Sequence, residues 1–151
     1  MANGKTDKLE KHFEIYKLTV DMADKVSSRR MTANTFFLTL HSALVVISER
    51  LDLIYVAVIG LLFCVTWWML LKSYRDLNTA KFDVILELEK DFPVKPFTDE
   101  WKYLKKDPVE GWKTRYAELG QVEQFVPIIL GAIYIFIILK ITCWLQFICH
   151  I

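Results

Sequence analysis

The 151-residue sequence lacks the residue patterns that carry catalysis or phosphate binding. Its five glycines are scattered, so the chain contains neither a phosphate-binding loop nor a dinucleotide fingerprint. No ordered set of Ser, His and Asp forms a nucleophile motif. Its three cysteines match no established metal spacing, even with His150 beside Cys149. We therefore expect a protein that is not an enzyme and that binds no cofactor or metal.

Long stretches of the sequence also lack charge. Residues 53–71 contain no charged side chain, residues 32–47 carry no formal charge, and residues 125–151 carry a single one. Nearly all of the 19 basic and 18 acidic residues lie in residues 1–30 and 72–124. This segregation excludes a disordered chain and an ordinary soluble domain, because neither separates its charges from such long apolar runs.

The apolar runs predict membrane-spanning helices, since about 20 apolar residues are needed to cross the hydrocarbon core. Residues 51–71 and 125–147 meet this requirement, whereas residues 31–48 are shorter and more polar. Only residues 48–52 separate the first two runs, so we expect a tight hairpin there. The predicted fold class is all-α. It is a multi-pass membrane protein with three transmembrane helices, an N-terminal amphipathic helix and a long helix extending from the second span.

Basic residues predict the topology, because they are retained on the cytoplasmic side. The first 30 residues contain seven, the hairpin turn contains one and residues 72–124 contain ten. We therefore expect the N terminus and residues 72–124 in the cytoplasm. The predicted regions are a cytoplasmic amphipathic helix (1–30), a transmembrane hairpin (31–71), a cytoplasmic helical insert (72–124) and a third transmembrane helix (125–151).

Four residues are predicted to mark the membrane interface. Arg29 and Arg30 precede the first span at the expected level of the phosphates, and Trp67 and Trp68 lie near the end of the second. Beyond the second span, residues 72–91 contain no Pro or Gly, so one continuous helix is expected to run out of the bilayer.

The end of this long helix is predicted from its composition. The helix is followed by Pro93 and Pro96, which disfavour further helix. Thr98 is predicted to be the N-cap of a further short helix. The acidic residues Glu87, Glu89 and Asp91 are expected to form a solvated patch at the helix end. A second short helix is expected over residues 112–122.

The strongest unusual feature is a strip of polar residues along the first span. Asn34, His41 and Ser48 recur at seven-residue spacing, with Thr35 and Ser42 one position round the helix. Polar groups in hydrocarbon require partners. Three interpretations stay open. The strip forms hydrogen bonds with other helices of the same bundle, or several copies turn it toward a central axis as a pore or gate, or the helix is too weak to span the membrane.

A second strip consists of small residues in the second span. Ala57, Gly60 and Cys64 lie at three- and four-residue spacing, so they share one face of a helix. Small residues allow close approach of another helix within a membrane. We therefore predict that this face packs against a neighbouring span.

The layout resembles that of the SLATT-type small bacterial membrane proteins over about residues 8–92. The resemblance rests on a first span that reads RRMTANTFFLTLHSALV and on a second span that continues as WWMLLKSYRDLNTAKFDVILELE. It implies a membrane effector of prokaryotic antiphage systems, which oligomerises and compromises the inner membrane when a sensor activates it. This sequence differs by its third span and by the aromatic, Pro-containing segment 92–112.

Two functional hypotheses follow. The first is a non-enzymatic homo-oligomer in the lipid bilayer that forms a pore or perturbs the membrane in antiviral defence, in response to a soluble cytoplasmic sensor or partner. The alternative is a membrane anchor or adaptor that recruits a soluble partner and conducts no ions. Nucleic acid is not an expected partner, because residues 72–124 contain ten basic and eleven acidic residues.

Overall fold

The computed structural model describes residues 3–106 and 119–149, with side chains over 8–104 and 122–144. Within these residues the chain is helical and contains no strand, which confirms the predicted all-α class. The elements are helix α1 (Asn3–Ile47), helix α2 (Leu53–Leu88), a 3-10 turn (Glu89–Asp91), helix α3 (Pro96–Lys106) and helix α4 (Leu119–Cys149). The short helix predicted at 112–122 lies mostly outside the described residues.

Helix α1 joins the predicted amphipathic helix and the predicted first span into one 45-residue helix. The sequence contains no Pro between Met1 and Asp52 and no Gly after Gly4 there, so no residue in this stretch interrupts the helix. A short turn then reverses the chain, with the Arg50 amide bonded to the Ile47 carbonyl. The Asp52 carbonyl accepts the amide of Tyr55 as α2 begins.

Proline sets the end of α2, as the sequence predicts. Phe92 is extended, with φ −101° and ψ 146°, because the ring of Pro93 disfavours helical geometry in the residue before it. Helix α3 begins at Pro96, whose restricted φ suits the first helical turn. Thr98, predicted as a cap, therefore lies inside the first turn of α3.

Among the residues that the structure describes, two helices are long and apolar enough to cross a membrane, Leu53–Asp91 and Val122–Trp144. They overlap most of the predicted second and third spans (51–71 and 125–147), which makes both of them candidate spans by length and composition. The predicted first span forms the C-terminal part of α1 but is not among these helices. Its crossing of the membrane stays a prediction.

The chain divides into two compact units. The charged unit contains Met1–Arg29 and Tyr74–Glu118, and its buried residues include Ala23, Val26, Ile85 and Glu89. The apolar unit contains Arg30–Ser73 and Leu119–Ile151. Its core consists of two clusters, one of Phe37, Trp67 and Leu71, the other of Ala57, Cys64 and Tyr134.

Candidate functional site

His41 forms the centre of a polar cluster inside the apolar unit. Its side chain is only 5% exposed, and its two ring nitrogens contact groups on two other helices. Nδ1 lies 3.0 Å from the Tyr134 hydroxyl on α4, and Nε2 lies 3.6 Å from the Cys64 sulfur on α2. A neutral imidazole donates through one nitrogen and accepts through the other, so the phenol and the thiol take opposite roles. His41 thereby connects three helices.

Asn34 makes a second contact of this kind two turns earlier on α1. Its side-chain oxygen accepts a 2.9 Å hydrogen bond from the indole nitrogen of Trp67. The Trp67 ring stacks on Phe37, with ring centres 5.6 Å apart and planes 7° from parallel. Asn34 and His41 therefore find their partners within one protomer, as the first interpretation of the polar strip expected.

The small residues of α2 make room for these contacts. Ala57 and Cys64 are buried against α4, and Gly60 lies directly beneath the ring of Tyr134. A Cβ atom added at Gly60 would lie 2.3 Å from the Cζ of Tyr134, which is closer than van der Waals contact permits. The absence of a side chain at Gly60 therefore allows Tyr134 to reach His41.

The remaining members of the polar strip lie on the outer surface of the unit. Thr35 and Ser42 are exposed, and their hydroxyls donate to carbonyls one turn earlier, those of Met31 and Leu38. Thr39, also exposed, lies between them and donates to the Thr35 carbonyl. The structure thus divides the strip into an inner side and an outer hydroxyl row, which we define as Thr35, Thr39 and Ser42.

Ser48 and the predicted interface residues occupy different surroundings. Ser48 is partly buried at the hairpin turn and donates to the Val45 carbonyl. Trp67 is only 1% exposed, so it faces the interior of the apolar unit and not the headgroups. Its neighbour Trp68 is 37% exposed. Of the two tryptophans, only Trp68 has the exposure that an interface residue requires.

The two arginines also differ. Arg29 is exposed, whereas the Nε of Arg30 lies 3.1 Å from a carboxylate oxygen of Glu123 on α4. Both side chains of this pair are mostly buried. An arginine partly removed from water is more stable with a carboxylate partner, so Arg30 joins α1 to α4 within the apolar unit.

The surroundings of Glu89 differ from those that the sequence predicted. It was expected in a solvated acidic patch, but it is completely buried in the charged unit. One carboxylate oxygen accepts from the Tyr16 hydroxyl at 3.0 Å and from the Phe97 amide at 2.9 Å. The other accepts from the amide and hydroxyl of Thr98 at 2.9 and 2.7 Å. The carboxylate thus caps α3 and joins it to α1 and α2.

These contacts change the acidity of both partners. Burial alone would raise the pKa of Glu89, but the hydrogen bonds from Thr98, Phe97 and Tyr16 outweigh it and lower that pKa. Burial, the hydrogen bond to Glu89 and the negative charge of Glu89 raise the pKa of Tyr16 to about 12. The sequence signal for the buried position of Glu89 was the pair Pro93 and Pro96, because these prolines turn the start of α3 back toward the preceding helix.

No group of three or more metal-ligating side chains occurs among the described residues. Within them, Cys64 is buried and Cys143 is exposed. The side chain of Cys149 and all of His150 lie outside the described part.

The chain was compared with known proteins. No curated protein and no solved structure matches it. The model of the octameric membrane protein family (8xMP) matches residues 13–143, a span that contains both polar centres, His41 and Glu89. Because this match covers most of the chain, the protein belongs to the octameric membrane protein family.

Proposed function

We propose that the protein is a non-enzymatic ring of eight copies in the bacterial inner membrane, and that it forms a polar pore as an effector of antiphage defence. The octameric state is taken from the family, and the defence role from the resemblance to SLATT-type proteins. The observation that supports the pore is the outer hydroxyl row of α1.

The hydroxyl row has polar atoms that hydrocarbon solvates poorly. Thr35, Thr39 and Ser42 satisfy their donors on their own helix, but each oxygen can still accept hydrogen bonds from water. The inner residues Asn34 and His41 bond within the protomer and are not free to line a passage. Eight copies that turn the hydroxyl row toward a common axis would surround a wet channel.

A third span is part of this proposal. Tyr16 on α1 bonds to Glu89, so these two residues lie on the same side of the membrane. Between them the chain contains the apolar part of α2, which is long and apolar enough to cross the bilayer once. Return to the same side requires a second crossing, and the uncharged C-terminal part of α1, residues 31–47, is the segment between Tyr16 and the hairpin turn that suits it. The basic-residue bias then supports a cytoplasmic location for the N terminus and residues 72–124.

Ion flux from liposomes tests the pore. We expect the double variant Thr35→Val, Ser42→Ala to lower flux about tenfold, because an apolar wall no longer offers oxygens to a hydrated ion. The matched controls are Thr66→Val on α2 and Thr142→Val on α4. Both residues are exposed and donate to a carbonyl one turn earlier, as the hydroxyl row does. Equal flux in the wild type and the double variant would contradict the assignment of this row to a pore.

The second candidate function is a conduction-free membrane anchor or adaptor. An open groove of about 380 Å³ in the charged unit favours it. The groove is lined by Tyr16, Lys17, Val20, Asp21, Asp24 and Phe97. An apolar floor with two carboxylates suits a basic, partly apolar segment of a soluble partner. Wild-type flux no higher than that of empty liposomes would favour this candidate over the pore.

A further inference from the structure

Helix α1 has an exposed apolar row in the charged unit. Ile15, Leu18 and Met22 are 53%, 55% and 45% exposed, and they follow one another at helical spacing. In the apolar unit such side chains can be covered by lipid. In the charged unit they would contact water, which costs free energy in proportion to the apolar area. A protein partner would remove the apolar area of these three residues from water.

The row continues with basic residues. Lys25 and Arg29 follow at the same three- and four-residue spacing and are exposed. We call Ile15, Leu18, Met22, Lys25 and Arg29 together the α1 outer row. Lys25 pairs with Asp21 on its own helix, and within the described residues Arg29 forms no ion pair. The surface is apolar at one end and basic at the other.

Helix α2 has a second exposed surface, of the opposite charge. Leu77 and Val84 are 47% and 50% exposed, and acidic residues follow the same side of the helix. We call this surface the α2 outer row, and it comprises Asp76, Leu77, Ala80, Asp83, Val84 and Glu87. Within the described part of the chain, Asp76 and Asp83 form no ion pair. The two rows are therefore complementary in charge, and each contains an apolar part.

The heights of the two rows also agree. The hydrogen bond from Tyr16 to Glu89 fixes the level of antiparallel α1 and α2 within the charged unit. Counted from this contact, Arg29 and Asp76 are each thirteen residues away, and Lys25 and Ala80 are each nine. At about 1.5 Å per residue, the basic end of one row lies level with the acidic end of the other.

Ring symmetry requires two such surfaces. Copies inserted in the same direction in a membrane are related by rotation about an axis along the membrane normal. In a ring of more than two copies, each contact then joins two different surfaces of the chain. A rotation about this axis does not change the height of a residue along the axis. If the helix pair runs along the axis, residues that are level in one chain are also level between neighbouring chains.

We infer that the α1 outer row of one protomer packs on the α2 outer row of the next protomer, and that this contact closes the ring in the charged unit. Leu18 and Met22 cover Val84 of the neighbour, Arg29 pairs with its Asp76, and Lys25 lies between its Asp76 and Asp83. The inference rests on the homo-oligomeric part of the proposed function and not on conduction. An octamer that assembles through other surfaces would overturn it and leave the pore proposal standing.

Disulfide formation between neighbours tests the contact. Lys25 and Ala80 are level and exposed, and they lie on faces turned away from the buried residues Ala23 and Ile85, so we expect no bridge within one chain. In the full-length protein in membranes, treated with copper–phenanthroline, Lys25→Cys with Ala80→Cys is expected to give a ladder of linked species up to eight copies. Each single variant is expected to show only the wild-type background, and a mixture of the two single variants only linked dimers.

The matched control moves one cysteine to another face of α1. Asp24 is exposed, lies at nearly the same height as Lys25 and lines the groove, so Asp24→Cys with Ala80→Cys is expected to give no ladder. Two results would overturn the inference. One is a Lys25→Cys, Ala80→Cys protein with no ladder above the wild type; the other is strong dimer formation by either single variant, which indicates contact between identical surfaces.

Assembly without introduced cysteines gives an independent measurement. Val84→Lys places a cation against the apolar Leu18 and Met22 of the neighbour's α1 outer row and is expected to lower the octamer fraction about tenfold in native mass spectrometry from nanodiscs. Val94 is 72% exposed and lies between α2 and α3, outside both rows, so Val94→Lys is the control and is expected to leave the octamer intact. Equal octamer fractions in the two variants would overturn the inference.

Discussion

Glu89 accepts four hydrogen bonds in a site closed to water, three of them from the first turn of α3. A helix N-terminus has unpaired amides and a partial positive charge, so a buried carboxylate is stabilised there. The carboxylate in turn holds α3 against α1 through Tyr16. Glu89 thus stabilises the start of α3 and its contact with α1, whereas its position among other acidic residues in the sequence suggested only a solvated side chain.

Glu89→Gln is expected to destabilise the charged unit by about 1–3 kcal/mol, because the new NH₂ group faces donors and the negative charge is lost. Hydrogen exchange at the Phe97 and Thr98 amides measures this. Since folding lowers the pKa of Glu89, its stabilisation is complete above the pKa of an ordinary glutamate, about 4.3, and disappears as the pH falls through the lower folded-state value.

The control for this prediction is Glu87→Gln. Glu87 is exposed on the same helix and pairs only with Lys90 among the described residues, so its replacement is expected to change exchange at α3 little. Wild-type protection at Phe97 should fall on acidification, and protection in Glu89→Gln should not depend on pH in that range. Equal protection in Glu89→Gln and Glu87→Gln would contradict a capping role.

At the scale of helices, the contact between α2 and α4 includes a close approach of Gly60 to the ring of Tyr134. Gly60→Ala is expected to lower the unfolding temperature and to cost about 1–3 kcal/mol, because the new Cβ meets the Tyr134 ring at 2.3 Å. The ring cannot move away without breaking its contact with His41. Thermal unfolding in detergent measures the change.

Gly131 on α4 provides the matched control. A Cβ added there would lie 3.6 Å from the Cβ of Cys64, an ordinary van der Waals distance. Gly131→Ala is therefore expected to leave the unfolding temperature unchanged or to raise it slightly, because Ala favours helix over Gly. If both alanine variants unfold at the wild-type temperature, the close approach of Gly60 and Tyr134 has no energetic consequence.

At the scale of the whole molecule, the proposed arrangement with three spans and an arrangement with two spans predict different labelling of single cysteines from the two sides of the membrane. Single cysteines at Leu9 and Tyr103, which are 52% and 68% exposed, should both react with an impermeant maleimide only after the inner membrane is opened. Arg50→Cys, at the exposed hairpin turn, should react in intact spheroplasts. The wild-type protein measures the background from the native cysteines.

With two spans, α1 would stay on one side and only α2 and α4 would cross. Leu9→Cys and Arg50→Cys would then react from the same side, and Tyr103→Cys from the other. That result would also separate Tyr16 from Glu89 by a membrane, in conflict with their hydrogen bond. The labelling pattern therefore tests the membrane topology and the composition of the charged unit together.

The sequence by itself determined the class of the protein. Apolar runs at residues 51–71 and 125–147 predicted two spans, and the prolines at 93 and 96 predicted the end of the long helix. These features are local, because helix formation depends on neighbours three and four residues away and on where proline removes a donor. Membership of an octameric family agrees with the expected homo-oligomer.

Only the tertiary structure decided which side each polar residue faces. The spacing of Asn34 and Thr35 placed both on one strip, yet Asn34 bonds to Trp67 and Thr35 is exposed. One position corresponds to about 100° round a helix, so the neighbours on each side decide between core and surface. The burial of Glu89 likewise depends on Tyr16, 73 residues earlier, and no local pattern contains a contact at that distance.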